Sequence, residues 1–333
     1  MRNVRLSGLM LLFFCGSLVA SAQEFGMMYW DGGGSLRRAR PDGVGQELVL
    51  GNIRPGSIAF DLIGRKVYFR VVQGNTRSLR RANFNGTAME TLVDHNIYGL
   101  AIDPIGRKLY WDYRGVIQRA NLDGSSVEDL VSDPGEIDSI ELDLKHGKMY
   151  WANLNAGTIR RANLDGSGIE SLFPDGTLTT PRGLALDLDR GRVIWSEQQG
   201  DRIQSANLDG SDVRMLLATA TPEKIAVDWV EQKIYWTNQN TGIHRANLLD
   251  GSNIENVIAH SGIGIALANP FAPCLFDACD VNCDGEVNVF DVEPFLDVLF
   301  TNVRRCGLCA GDVDGNGVVD AFDIEPFLNC LFP

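Results

Sequence analysis

Short stretches of alternating apolar and polar residues, the period of half-buried strands, recur along residues 23–269 and are separated by Gly-containing turns. An aromatic pair marks the pattern: Tyr29-Trp30, Tyr68-Phe69, Tyr110-Trp111, Tyr150-Trp151, Ile194-Trp195 and Tyr235-Trp236, spaced by 39, 42, 40, 44 and 41 residues. A turn pair follows in the same register: Asp42-Gly43, Asn85-Gly86, Asp123-Gly124, Asp165-Gly166, Asp209-Gly210 and Asp250-Gly251. Two independent markers with one period define six repeats. In the clearest repeat the pattern predicts strands at Gly99–Ile102, Lys108–Trp111, Val116–Asn121 and Val127–Leu130. Asx-Gly pairs between apolar runs signal hairpins, because Gly accepts the positive φ of such turns. Four antiparallel strands, six times over, predict an all-β six-bladed propeller of four-stranded blades.

The ends of the repeat region predict how the ring closes. The chain enters at a second strand, Met28-Tyr29-Trp30, and leaves with a lone first strand, Gly264-Ile265-Ala266-Leu267. Joining them completes one blade from both termini and removes an open sheet edge.

These phrases resemble the YWTD repeats of the low-density lipoprotein receptor family (class B repeats). Here they read YWDG, YFRV, YWDY, YWAN, IWSE and YWTN. The companion Asp of the family's first strand matches Asp61, Asp103, Asp143, Asp187 and Asp228, whereas the sixth copy has none. The final Asp of the tetrapeptide is missing in every copy, so the aromatic pair carries the match. The resemblance implies the propeller fold and a binding role without supplying a ligand.

Arg38, Arg81, Arg119, Arg161 and Arg245 recur at one third-strand position, with Ser205 as the exception. Recurrence in nearly every blade points to scaffolding, and pairing with the first-strand Asp is expected, since a guanidinium fork suits a carboxylate. The rival reading is a ring of cations facing an acidic ligand. The aromatic pairs are expected to pack between blades.

Motifs for catalysis are scarce. His95, His146, His244 and His260 fall in separate repeats without metal-ligand spacing, and there is no His-Glu-x-x-His, no Gly-x-Ser-x-Gly and no phosphate-cradling Gly loop. A propeller can still assemble a site around its channel from several blades. Acidic and amide side chains clustered there would favour an enzyme, and a small, apolar lining would favour binding. The polar connections Gln73-Gly74-Asn75, Asn153-Leu154-Asn155, Gln198-Gln199-Gly200 and Asn238-Gln239-Asn240 should share one face, with Tyr98 and Tyr113 nearby.

Residues 1–22 read as a signal peptide: Arg2 and Arg5, an apolar run from Leu6 to Val19, then Ala20-Ser21-Ala22. The run is short for a bilayer span, and Phe13 and Phe14 sit poorly before a lipoprotein Cys15. A secreted or cell-surface protein, not membrane-spanning, is expected. The formal net charge of −13 argues against nucleic acid as a partner.

Composition changes at Asn269-Pro270-Phe271-Ala272-Pro273. Residues 270–333 carry twelve Asp and Glu against Arg304 and Arg305. Asp280, Asn282, Asp284, Gly285, Glu286, Asn288 and Asp291 stand at positions 1, 3, 5, 6, 7, 9 and 12 of a loop, and Asp312, Asp314, Asn316, Gly317, Val318, Asp320 and Asp323 repeat it 32 residues on. Oxygen ligands at that alternation wrap Ca²⁺, with Gly at position 6 for the turn and a backbone carbonyl at position 7, so two ions are expected. Helical segments follow at Val292–Phe300 and Ile324–Leu331. Cys274, Cys279, Cys283, Cys306, Cys309 and Cys330 read as disulfides of unspecified pairing, and Cys306-x-x-Cys309 as half a zinc site is the weaker reading.

Asp at position 12 and the near-duplication resemble a type I dockerin with paired EF-hand-like loops. The resemblance implies attachment to a cohesin-like or other envelope protein. The family's recognition pair is replaced by Val289-Phe290 and Ala321-Phe322, which form either a different docking surface or core. The whole reads as an exported, bacterial, non-enzymatic binding protein. Its propeller takes a protein, peptide or glycan ligand, and its calcium-dependent tail attaches it to a surface or complex. The alternatives are an extracellular lactonase- or hydrolase-like enzyme with the same tail, and an envelope protein whose propeller is purely structural.

Overall fold

The computed structural model describes residues 26–268 except positions 63, 75, 230 and 261. The expected signal peptide, the six tail cysteines, the two expected calcium loops, the helical segments expected at 292–300 and 324–331, and the Val289-Phe290 and Ala321-Phe322 pairs lie outside the described residues.

Twenty-four strands form six four-stranded antiparallel sheets. Blade 1 joins Ile265–Ala268 to the strands from Met27 to Gly51, with Met27 opposite Ala268 and Trp30 opposite Ile265. Blades 2 to 6 then follow in chain order, with first strands Arg54–Asp61, Leu100–Asp103, Ile137–Asp143, Pro181–Asp187 and Ile225–Asp228. The clasp is as the sequence implied, and the clearest repeat shifts by at most two residues, to Leu100–Asp103, Lys108–Tyr113, Val116–Asn121 and Glu128–Ser132.

Strand alternation explains why the aromatics come in pairs. Adjacent residues of a strand face opposite sides of the sheet. Each pair therefore serves two blade interfaces. Tyr68 of blade 2 packs in one cluster with Trp111 of blade 3, Tyr110 with Trp151, Tyr150 with Trp195, and Tyr235 of blade 6 with Trp30 of blade 1. The five tryptophans of these pairs are fully buried. The expected packing role of the aromatics is what the structure shows.

The Asx-Gly turns touch the preceding blade. Gly124 has φ +81°, and a Cβ there would press on the Leu92 backbone carbonyl; Gly166 stands in the same relation to Leu130. Positive φ and close approach together require glycine. Asp123 and Asp165 secure their turns by accepting the backbone N–H of Ser125 and Ser167, each at 2.9 Å.

The recurring arginines differ from expectation in one respect. They pair with a fourth-strand Glu rather than with the first-strand Asp. Arg38 meets Glu47, Arg81 meets Glu90, Arg119 meets Glu128, Arg161 meets Glu170 and Arg245 meets Glu255. The same guanidinium groups donate to a carbonyl of the next blade: Phe84, Leu122, Leu164, Leu208 and, across the closure, Pro41. The first-strand Asp is committed elsewhere. Asp61, Asp103, Asp143, Asp187 and Asp228 each accept a backbone N–H of the turn that follows. Scaffolding is thus the role of both sets.

Candidate functional site

The first strands line the central channel, with their N-terminal ends at one mouth. Three successive positions can be compared around the ring. The apolar position holds Ile58, Leu100, Ile140, Leu184, Ile225 and Ile265. The residue before it is small in five blades, Ser57, Gly99, Ser139, Gly183 and Gly264, and is Lys224 in blade 6. The residue after it is Ala in five, Ala59, Ala101, Ala185, Ala226 and Ala266, and is Glu141 in blade 4. The two departures meet. Lys224 and Glu141 line one small channel cavity of about 40 Å³ together with Ser57, Ser139, Leu100 and Ile265. That space admits a few waters or one small group, not a substrate-sized molecule. Half of the lining is aliphatic, and the rest is two serines, one acid and one lysine.

Burial raises the Glu141 carboxyl to about 8, against the attraction of Lys224, so it is largely protonated at neutral pH. Burial likewise pulls the Lys224 ammonium down, opposed by Asp138.

The position two residues before the apolar one, at or just ahead of each first strand, forms the mouth: Gly56, Tyr98, Asp138, Arg182, Glu223 and Ile263. Lys224 of blade 6 reaches past blade 5 to Asp138 of blade 4, Nζ to Oδ2 3.2 Å, and also donates to the Asp138 carbonyl. Arg182 bridges Asp138 and Glu223 at 3.4 Å each. Burial works against the Asp138 carboxylate, but Lys224, Arg70 and Arg182 together hold its pKa below the usual range. Gln198 and Gln239 both donate to Glu223 Oε1, at 2.5 and 3.1 Å. Arg70 of blade 2 enters the mouth from its second strand with 6% exposure, and its Nε has no hydrogen-bond partner. Its guanidinium stands 5.7 Å from the Tyr98 ring centroid. Arg77 donates to the Tyr98 hydroxyl at 2.6 Å.

The expected polar connections of blades 4, 5 and 6 lie on this face, but several of their amides serve the fold; Asn75 of blade 2 lies outside the described residues. Asn153 and Asn238 occupy the place of the missing tetrapeptide Asp and cap their own loops, accepting from Ala156 at 2.9 Å and from Asn240 at 2.8 Å. Glu197 does the same for Thr179 N, at 2.8 Å. Asp112, one position earlier in its blade, accepts from Gly115 N at 2.8 Å. Its burial outweighs that bond and raises the carboxyl to about 7. Among the described residues no group of three or more His, Cys, Asp or Glu is placed to hold a metal ion, and no helix is long and apolar enough to cross a membrane.

Sequence patterning did not single out Arg70, Asp138, Glu141, Arg182, Glu223 or Lys224. The signal was present as breaks in the repeat: Lys224 in the ring of small residues and Glu141 in the ring of alanines.

Comparison with known proteins agrees with this architecture. Residues 147–188, spanning the second to fourth strands of blade 4 and the first strand of blade 5, match the low-density lipoprotein receptor repeat class B. Protein cueball of Drosophila willistoni is 28% identical over 110 residues, which are 31% of this chain and 17% of that protein. Protein cueball of Drosophila virilis is 30% identical over 108 residues, 30% of this chain and 17% of that protein. The aligned part is thus about a sixth of each relative's length. Among solved structures, a chain of a nidogen/laminin complex superposes with a TM-score of 0.64 at 20% identity, covering 73% of this chain and 99% of that one. TolB from Acinetobacter baumannii gives 0.61 at 16% identity, covering 80% and 74%. At such identities the likeness concerns the fold. The chain is therefore a six-bladed propeller containing a class B repeat.

Proposed function

We propose that this is an exported, non-enzymatic binding protein whose channel-mouth face engages a protein partner. In this reading residues 23–269 form the binding propeller, and residues 270–333 form a dockerin-like module that takes two Ca²⁺ ions and attaches it to a cohesin-like or other envelope protein. The observation that carries the binding role is the cluster of charged groups that joins blades 4, 5 and 6 at one channel mouth. Lys224, Asp138 and Arg182 are linked across this mouth, and the cavity beside Lys224, about 40 Å³, is too small for a substrate-sized molecule. A larger ligand would sit on the face, where charged and aromatic groups from blades 2 to 6 converge. The class B repeat and the nidogen-like fold support the same reading. The tail rests on its loop spacing and acidity.

The test is capture from the source organism's envelope and medium by the full chain, with calcium and with chelator, beside Arg182→Ala. A partner lost with Arg182→Ala but kept in chelator belongs to the propeller face. A partner lost only in chelator belongs to the tail. Capture that neither change reduces would refute the reading.

One observation favours the hydrolase alternative: Glu141 and Lys224 are an oppositely perturbed pair in one cavity, the pattern expected of acid–base groups. The narrowness of the cavity weighs against it. Hydrolysis of aryl esters or lactones that Glu141→Gln abolishes would establish that alternative instead.

A further inference from the structure

Arg70 is a buried cation without a counter-ion of its own. The repeat places Asp31, Asp112, Ala152, Ser196 and Thr237 at its position in the other blades, so an arginine here is specific to blade 2. Two of those equivalents bond the loop of the next blade: Ser196 donates to Glu223 O, and Thr237 donates to Ile263 O at 2.7 Å. Arg70 makes no such bond. No hydrogen bond or ion pair engages its guanidinium among the described residues, and its Nε is buried without a partner. The nearest carboxylates do not serve: Asp138 is held by Lys224 and Arg182, and Glu136 makes no ion pair with Arg70. Gly56 lies against the guanidinium so closely that a Cβ there would collide with it. A planar group with five donors, flanked by bare backbone and the Tyr98 ring, is thus left unfilled at the mouth.

We propose that this mouth is a receptor site for one carboxylate, taken up by the Arg70 guanidinium between Gly56 and Tyr98. The fork geometry of arginine matches a planar carboxylate. Asp138 and Glu136 are close enough to act on Arg70 electrostatically and would repel a doubly charged phosphate more than a monoanion. With Arg70 only 6% exposed, its guanidinium can be met by the tip of a ligand rather than its body. The carboxylate is either a free small acid or an Asp or Glu side chain offered by a partner. This inference rests on the reading of the mouth as the binding face, but it is measured without any partner, so either can fail alone.

The experiment is nuclear magnetic resonance of the Arg70 Nε–Hε pair in the full chain, assigned through Arg70→Met. The chain is titrated with acetate, or with the capped pentapeptide Gly-Gly-Asp-Gly-Gly, against chloride at equal ionic strength. A saturable shift is expected with at least one probe. The melting temperature should rise in parallel, and Arg70→Met should bind at least tenfold more weakly. A pentapeptide tenfold tighter than acetate identifies a protein side chain as the source. Equal or weaker peptide binding identifies a free small acid. No shift of the wild-type resonance with either probe overturns the proposal, even if Arg70→Met fails to fold. An undiminished melting-temperature response in Arg70→Met overturns it as well.

Discussion

Lys224 of blade 6 and Asp138 of blade 4 meet across the channel mouth, Nζ 3.2 Å from Oδ2, both nearly fully buried. The pair ties together two blades that are not neighbours in the ring. A buried ion pair owes its charges to each other, so removing one partner costs more than removing both. Lys224→Met keeps the volume and leaves Asp138 with Arg182 and the more distant Arg70. A loss of about 3 kcal/mol is expected for the single change. The double variant Lys224→Met with Asp138→Asn should recover most of it, as read by urea unfolding of all four corners of the cycle. Equal losses in the single and double variants would show that the pair is not coupled.

Glu141 carries a pH dependence whose sign follows from its environment. Burial raises its folded pKa from 4.5 to about 8, so between those values the native state keeps a proton that the unfolded chain releases. Stability must therefore fall as pH rises across that window. Asp112, raised from 3.8 to about 7, adds the same sign. Lys224 faces the same cavity, and its depressed pKa acts with the opposite sign in wild type and variant alike. Glu141→Ala restores the residue found in the other five blades. It should be nearly neutral at pH 5 and raise the melting temperature by roughly 5 °C at pH 8. A gain of equal size at both pH values would assign the effect to packing instead of charge.

Repeats made the scaffold legible and hid the site. The aromatic pair and the Asx-Gly turn recur because every blade solves one packing problem, so Tyr150-Trp151 and Asp165-Gly166 could be placed from period alone. Arg119 was recognised as structural by recurrence, but its partner was misassigned. Linear spacing offers Asp103 and Glu128 equally, and only the ladder, which sets Arg119 opposite Glu128, decides between them. Lys224 and Asp138 are 86 residues apart and meet because the ring curves, which no local pattern encodes. Arg70 had a different obstacle. It looks like one more substitution in a degenerate tetrapeptide until burial shows that nothing pairs with it.

The two sides of the recurring arginine should weigh differently. Glu128 is about half exposed, so its ion pair with Arg119 is worth little in water. The bond from Arg119 to Leu164 O, 3.0 Å, crosses between blades and satisfies a carbonyl there. Glu128→Ala should cost little, because the exposed pair is screened by solvent. Arg119→Ala should cost about 1–2 kcal/mol, because it leaves that carbonyl without its donor. Chemical denaturation of both variants separates the two contributions, and the reverse order would place the stabilisation in the ion pair.

Calcium should act on the tail and spare the propeller. Two loops with oxygen ligands in register predict two ions per chain, with dissociation constants near the 10⁻⁴–10⁻³ M typical of exported modules. Asp280 and Asp312 hold the first ligand position of each loop. Calorimetric titration of the full chain should give two sites, and Asp312→Ala should leave one. The blade that closes the ring is completed within the described residues, where Ile265–Ala268 pairs with Met27–Asp31. No calcium ligand of the predicted set belongs to it. Chelator should therefore shift the unfolding seen by tryptophan emission by less than about 2 °C, a change smaller than 1 kcal/mol in a domain of this size. A larger shift would mean that the calcium-loaded tail braces the propeller. Two sites retained in Asp312→Ala would place the ions elsewhere in the chain.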